Sequence, residues 1–365
     1  MRHLIDFGDL SRQEWEELYA RASDIIDHPK AYMDACRGRL MASLFFEPST
    51  RTNFSFQAAM MRVGGSVFGF ADPRSTSTSK GETLKDTIKM VSGYADVIVM
   101  RSPREGAAKA ASLYSHVPVI NAGDGGHMHP TQTTADLTTI TRLRGGVDGL
   151  SIGFCGDLKY GRTVHSLIKA LAKFDNIKLY LISPRDLAIP EYMRGFMRDH
   201  WMWNVEVTGL EPVIPQLDVL YMTRVQRERF VDPMEYERNK GIYILNRAKL
   251  DRARKDLLVM HPLPRVDEIT VDVDDDPRAV YFTRPGTACS PGCPCWPTWP
   301  TRSGWTPAPW RSAPAPCATT PTASPSRSSI CPRWSKKTAA WTAAPSATPP
   351  CKKYSGEPAS GRLSF

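Results

Sequence analysis

Missing first from this chain is any apolar run long enough to cross a bilayer, and its opening residues carry no basic-then-apolar export pattern. Both absences lead us to expect a soluble, cytoplasmic protein with no membrane partner. Net charge is missing as well from most of the length. Ten of the 47 lysines and arginines lie at or after Arg284, where Glu357 is the one acid out of 38, so residues 1–283 carry 37 of each sign. The formal charge of +9 therefore belongs to the tail, and the body offers no general basic footprint for nucleic acid. Cysteine is scarce in the body too, where Cys36 and Cys155 stand alone and read as small buried residues. Cys289, Cys293 and Cys295 lie close together, but their spacing is not that of paired Cys-x-x-Cys zinc ligands, so no metal is expected.

The tail lacks aliphatic residues. Ile330 and Leu363 are the only Leu, Ile or Val after Phe282, while 16 of the 30 prolines, six of the eight cysteines and six of the nine tryptophans fall there. Such sequence cannot bury enough surface to offset the entropy of ordering it. We expect residues 283–365 to be either the product of a reading-frame shift near Thr283 or a disordered extension. Resequencing the DNA across this point separates the two.

The body, by contrast, has regular hydrophobic patterning and enough length for two cores. Ser11-Arg12-Gln13-Glu14 is a capping box opening a helix through about Ile26. Strands are expected at Leu40–Phe46, Val67–Phe70, Val97–Met100 (ending at Arg101) and Val117–Asn121. Helices are expected after the Ser49–Thr52 junction, where Phe54, Phe56, Met60 and Met61 recur at helical spacing, from Lys80 to Tyr94 and from about Gln132. After Arg144-Gly145-Gly146 the pattern restarts, with strands at Ser151–Cys155, Lys178–Ile182, Val205–Val207, Val219–Met222 and Asp256–Met260 and a helix from Arg162 to Phe174. Strands alternating with helices predict parallel sheets with right-handed crossovers. The fold class is thus α/β: two doubly wound parallel-sheet domains, residues 1–145 and 146–282, followed by the Pro-rich tail.

Polar residues gather at the carboxyl ends of these strands, where ligands bind in open α/β sheets. Ser49-Thr50-Arg51-Thr52 sits at a strand-to-helix junction, where unpaired amides, hydroxyls, the helix dipole and a guanidinium make an oxyanion cradle. Read alone, it could equally be an ordinary Ser/Thr helix cap. Arg101, His129-Pro130-Thr131-Gln132, Arg162, Arg224-Val225-Gln226 and His261-Pro262-Leu263-Pro264 complete the set. Nothing in it reads as an activated nucleophile or a metal cluster. The chemistry implied is binding of polyanionic small molecules and stabilisation of charge.

Seven stretches in order carry a resemblance to a known family. They are Phe46-Glu47-Pro48-Ser49-Thr50-Arg51-Thr52, Lys80-Gly81-Glu82-Thr83, Ala122-Gly123-Asp124-Gly125, His129-Pro130-Thr131-Gln132, Gly156-Asp157-Leu158-Lys159-Tyr160-Gly161-Arg162-Thr163, Tyr221-Met222-Thr223-Arg224-Val225-Gln226 and His261-Pro262-Leu263-Pro264-Arg265. Over residues 1–282 the chain resembles the aspartate carbamoyltransferase catalytic chains of the aspartate/ornithine carbamoyltransferase superfamily. The resemblance implies that carbamoyl phosphate lies on Ser49, Thr50, Arg51, Thr52 and Arg101. Thr52, Arg101 and His129 would surround its carbonyl oxygen, and Gln132 with the backbone carbonyls of Pro262 and Leu263 would hold its NH2. L-Aspartate would meet Arg162, Arg224 and Gln226. No cofactor is implied.

The same resemblance implies a homotrimer with shared active sites, into which Lys80 and a hydroxyl of the 75–79 loop would reach. We choose Ser77, with Thr76 and Ser79 as rivals. Glu47 would cross between domains to Arg162 and Arg229 on closure. A regulatory chain or a dihydroorotase partner is also possible within this resemblance. Ornithine carbamoyltransferase is the nearest alternative, but Thr131 and Pro262 stand where that family has Cys, and Arg224 would repel a cationic ornithine. A further alternative is a poorly folded, inactive relative. The family's long apolar helix after Tyr281-Phe282 is replaced here by sequence in which Pro285, Pro291, Pro294 and Pro297 forbid a continuous helix.

Overall fold

The computed structural model describes residues 3–226, 230 and 232–282, and the expectations for Arg229 and for the tail lie outside the described residues. The chain opens with α1 (Arg12–Asp27), whose Ser11 and Glu14 exchange both bonds of the expected capping box. Trp15, Leu18, Ala22 and Ile25 face inward at helical spacing. The first sheet follows: β1 (Leu40–Phe45), α2 (Thr50–Arg62), β2 (Ser66–Phe70), α3 (Leu84–Tyr94), β3 (Val97–Ser102), α4 (Ala107–Tyr114), β4 (Val119–Asp124) and α5 (Pro130–Arg144). The second comprises β5 (Ser151–Cys155), α6 (Arg162–Leu171), β6 (Lys178–Ile182), α7 (Glu191–Asp199), β7 (Trp203–Val207), β8 (Val219–Met222), α8 (Pro233–Asn239), α9 (Arg247–Leu250) and β9 (Leu258–Met260). Both sheets are wholly parallel, with orders β2-β1-β3-β4 and β7-β6-β5-β8-β9.

The inner strands form where the sequence is largely apolar, as expected for sheets covered on both faces, whereas the edge strands β2 and β7 are mostly exposed or half-buried. β3 and β4 are buried along their whole length. β3 continues past the expected end through Ser102, because Arg101 finds a carboxylate inside the structure and need not reach water. The helix α4 was not anticipated. Its Ala-Ala-Lys-Ala-Ala run has no amphipathic period, and only its alanine content marks it as helical. On α2, Phe56 and Met60 point inward, while Phe54 and Met61 are exposed. Cys155 is buried as expected, but Cys36 is only partly so.

Strand order positions the site. In each sheet the chain leaves a central strand toward one edge and returns on its other side. The reversal falls between β1 and β3 in the first sheet and between β5 and β8 in the second. Register aligns the strand ends there: Phe45 lies beside Arg101, and Cys155 beside Met222. Gly156, at φ +121°, lets the second crevice close. A Cβ on it would stand 2.3 Å from the Thr223 carbonyl oxygen.

α5 joins the two sheets and begins at Pro130, two residues before the expected start, with ten of its residues buried. Its interior threonines satisfy their hydroxyls on the preceding turn, Thr134 on Pro130 O, Thr138 on Thr134 O and Thr139 on Ala135 O, each at 2.8 Å. One apolar cluster runs from Phe7 and Met41 through Leu137 and Ile140 to Phe154, Leu167 and Tyr221. At the end of α5, Arg144 reaches Asp218 at 2.7 Å and Asp256 Oδ2 at 2.8 Å, tying the helix to the second sheet.

Candidate active site

The first crevice is built on the turn from β1 into α2. Ser49 holds the position before the helix, yet its side chain does not cap it; the hydroxyl donates to Thr52 Oγ1 at 3.0 Å instead. The ordinary-cap reading of this stretch therefore fails. Asn53 anchors the turn from below, its Oδ1 accepting from Ser43 Oγ and Gln57 Nε2, both at 2.7 Å. Thr50 and Arg51 are exposed at the helix start.

Beside this turn, Arg101 is 8% exposed at the end of β3. A buried guanidinium needs a counter-charge, and Glu47 Oε1 supplies it at 3.3 Å, with Ala122 O accepting at 3.4 Å. Glu47 Oε2 lies 3.9 Å from Arg162 Nη1. Of the two arginines expected for Glu47, Arg162 is thus within ionic reach, but Arg101 is the nearer partner. Arg162, at the first position of α6, also donates to Gly125 O.

His129 stands just before α5, is 8% exposed, and donates its backbone N–H to Ser166 Oγ at 3.0 Å. Burial first, then the charges of Arg162 and Arg101, push its imidazole well below the usual histidine value. His129 is therefore a neutral imidazole at neutral pH, able to offer one N–H to an oxygen. Arg51 reports the same crowding of cations: desolvation, then Arg224 and Arg101, lower its guanidinium from the usual value. Arg224 follows β8 in the second sheet and Arg51 opens α2 in the first, so the two crevices share one electrostatic site.

In the second crevice, Asp157 accepts from Tyr160 N at 2.9 Å and Gln226 N at 3.4 Å. Burial pushes its carboxyl up to about 6 against the pull of these backbone donors. Gln226 Nε2 donates to Tyr160 O at 3.1 Å. Gln132 Nε2 donates to Asp136 Oδ1 at 2.9 Å. Leu263, at φ +56°, gives its N–H to His261 Nδ1 at 2.8 Å, and His261 Nε2 meets Glu268 Oε1 at 2.7 Å. This buried pair anchors the turn carrying the Pro262 and Leu263 carbonyls.

Ser77 and Lys80 are exposed on the loop between β2 and α3, and among the described residues no hydrogen bond or ion pair ties them to the cluster. The rival hydroxyls are engaged locally, Thr76 Oγ1 on Pro73 O and Ser79 Oγ on Thr76 O, both at 2.7 Å. The sequence marks Gly123 only as a member of the Ala122-Gly123-Asp124-Gly125 stretch. At φ +117° it lies so close to Arg101 and Arg162 that a Cβ would sit 3.3 Å from Arg101 Nη1 and 3.5 Å from Arg162 Cζ. Its positive φ is invisible in sequence; only the glycine itself pointed to it.

Two parallel sheets whose reversal points meet over a cluster of arginines define a two-lobed α/β protein built to hold polyanionic small molecules. Residues 2–142 match the family model of the aspartate/ornithine carbamoyltransferase carbamoyl-P binding domain, and residues 148–285 that of the Asp/Orn binding domain. The aspartate carbamoyltransferase catalytic subunit of Clostridium novyi (strain NT) is 57% identical over 281 residues, 77% of this chain and 92% of that protein. The catalytic subunit of M. jannaschii aspartate transcarbamoylase superposes with a TM-score of 0.75 at 46% identity, covering 80% of this chain and 96% of that one. Trypanosoma cruzi aspartate transcarbamoylase in complex with carbamoyl phosphate and aspartate gives 0.75 at 37% identity, covering 80% and 95%. The chain belongs to the aspartate/ornithine carbamoyltransferase family.

Proposed function

We propose that this protein transfers the carbamoyl group of carbamoyl phosphate to the amino group of L-aspartate, giving N-carbamoyl-L-aspartate and phosphate, in pyrimidine biosynthesis. One observation carries the reading: cations from both sheets converge, Arg101 and Arg224 acting on Arg51, and Arg101 and Arg162 acting on His129. A phosphate and two carboxylates are the charges such a site neutralises. Ornithine brings a cation to it, and the catalytic-subunit relatives cited above bear the aspartate name. We assign residues 1–145 to the carbamoyl phosphate half and 146–282 to the aspartate half, working in the cytoplasm.

In this reading the phosphate lies on Ser49, Thr50, Arg51 and Thr52 at the α2 N-terminus, with Arg101. Thr52, Arg101 and neutral His129 donate to the carbonyl oxygen as the aspartate nitrogen attacks the carbonyl carbon. Collapse breaks the carbon–oxygen bond to phosphate, and the nitrogen's proton leaves with the phosphate. Gln132 and the Pro262 and Leu263 carbonyls hold the carbamoyl NH2, while Arg162, Arg224 and Gln226 hold the two carboxylates. Orientation and charge stabilisation supply the rate, with no covalent enzyme intermediate. Ser77 and Lys80 complete a neighbour's site in a trimer, which accords with their lack of a tie to the cluster in their own chain. A regulatory or dihydroorotase partner would add to this trimer.

The first test is carbamoylation by the purified chain with aspartate and, as control, ornithine. Turnover of aspartate alone is expected; turnover of ornithine, or of neither by a folded protein, overturns the reading. Glu47 adds a second test. Phosphate at Arg101 competes with the Glu47 carboxylate, and once both substrates are bound Glu47 moves to Arg162, closing the site; its other expected partner, Arg229, lies outside the described residues. Glu47→Ala should lower kcat by about tenfold without weakening carbamoyl phosphate binding. An unchanged kcat rules the closure role out.

Asp157 gives a pH signature. Its raised pKa means that the carboxyl gains a proton as pH falls through about 6. The two backbone N–H bonds that set Gln226 then lose their charge assistance. KM for aspartate should rise about threefold between roughly pH 7 and pH 5.5, and Asp157→Asn should flatten that dependence. A wild-type KM that is constant over this range refutes the role.

A further inference from the structure

Gln132 is held by a carboxylate that does not itself belong to the substrate contacts proposed above. Asp136 lies one turn further along α5 and is fully buried. Its two oxygens are engaged by different parts of the fold. Oδ1 accepts from Gln132 Nε2 at 2.9 Å, and Oδ2 accepts from the Tyr221 hydroxyl at 2.8 Å. Tyr221 is also fully buried, on β8 of the second sheet, in register with Phe154 on one side and Met260 on the other. Its ring packs on Phe154 with centroids 5.7 Å apart. The hydroxyl is thus fixed by a strand that runs three residues later into Arg224.

A carboxylate only accepts hydrogen bonds, whereas a glutamine amide has one accepting and one donating end. Turned the other way, Gln132 would set its oxygen against the Asp136 oxygen, which is repulsive. Asp136 therefore dictates which end of the amide faces it, leaving Gln132 Oε1 to accept from elsewhere. A site that offers an acceptor favours an NH2 over a methyl group of the same size, because the methyl leaves that acceptor unpaired.

We propose that Asp136 and Tyr221 are positioning residues that lock the amide orientation of Gln132, and so make the site select an acyl phosphate bearing NH2 over one bearing a methyl group. The inference rests on reading Gln132 as the acceptor for the carbamoyl NH2. Carbamoyl phosphate and acetyl phosphate differ by just this group and serve as the probes. Their dissociation constants are measured on the full chain and on Gln132→Ala, Tyr221→Phe and Asp136→Asn, by calorimetry or competitive inhibition.

In Gln132→Ala and Asp136→Asn the preference for carbamoyl phosphate over acetyl phosphate should fall by about tenfold, and in Tyr221→Phe, where Asp136 still accepts from the amide but loses its anchor on β8, by about threefold, with acetyl phosphate affinity changed by less than about twofold in each. Asp136→Asn is near-isosteric, and its new NH2 can donate to Gln132 Oε1 and stabilise the flipped amide. If Gln132→Ala loses the preference while Tyr221→Phe and Asp136→Asn keep it, the positioning role is overturned and the Gln132 reading stands. If Gln132→Ala keeps the preference, the Gln132 reading itself fails. Parallel loss of both affinities in Tyr221→Phe and Asp136→Asn marks a general structural role and also overturns the inference.

Discussion

Arg101→Gln should lower kcat/KM for carbamoyl transfer by about a thousandfold while leaving the fold intact. The expectation follows from where the guanidinium is placed. Arg101 is 8% exposed, and its charge is felt by both Arg51 and His129. In the proposed function it would act on phosphate and carbonyl oxygen together in a site of low dielectric, where each preorganised donor counts most. Glutamine keeps part of the length and can still donate to Ala122 O, so the cavity left is small. Loss of the cation also relieves repulsion with Arg51, which offsets the orphaning of Glu47. Thermal melts and steady-state kinetics on the same preparation check both halves of the expectation. A loss of less than about tenfold, with melting unchanged, would show that Arg101 is not central.

Gly123→Ala should cost about a hundredfold in turnover, although it alters no group that touches substrate. Two penalties combine. The residue sits at φ +117°, where an L side chain is strained by about 1–3 kcal/mol. The new methyl would also stand 3.3 Å from Arg101 Nη1 and 3.5 Å from Arg162 Cζ, pushing both guanidiniums by tenths of an ångström. Gly38→Ala supplies the control. Gly38 has φ +74° but nothing within 4 Å of its Cβ, so it meets the strain without the crowding. Both variants should melt earlier than the parent; only Gly123→Ala should lose activity per folded molecule. Equal activities in the two would refute the crowding argument.

What could be read in the chain, and what could not, divides along physical lines. The inner strands were legible because parallel strands covered on both faces leave little room for polar residues, and β5, β6 and β8 have the expected limits. α1 was legible from its capping box, a purely local device. α4 was not, since a short alanine-rich helix has no apolar stripe to betray it. The extra residue of β3 was hidden because Arg101 looked like a strand end, and only its pairing with Glu47 permits a charge there. Asp136 is unmarked in the sequence, and Tyr221 is marked only as the start of the Tyr221–Gln226 stretch, for a related reason. A lone acid inside a helix and a tyrosine inside a strand read as a solvated group and a core ring until the hydrogen bond between them is seen.

The residues by themselves determined the α/β class, the presence of the nine described strands with the limits of β5, β6 and β8, and the polar residue types at their carboxyl ends. Each of those depends on short-range pattern: periodicity, caps, and polar groups placed just after apolar runs. Only the tertiary structure decided that Arg51 and Arg224 share one site, that His129 is neutral, and that Glu47 rests on Arg101 with Arg162 in reach. The same holds for the amide of Gln132, which is aimed through Asp136 from the opposite sheet. These properties depend on distances between residues far apart in the chain, and on the burial that strengthens charge interactions across them.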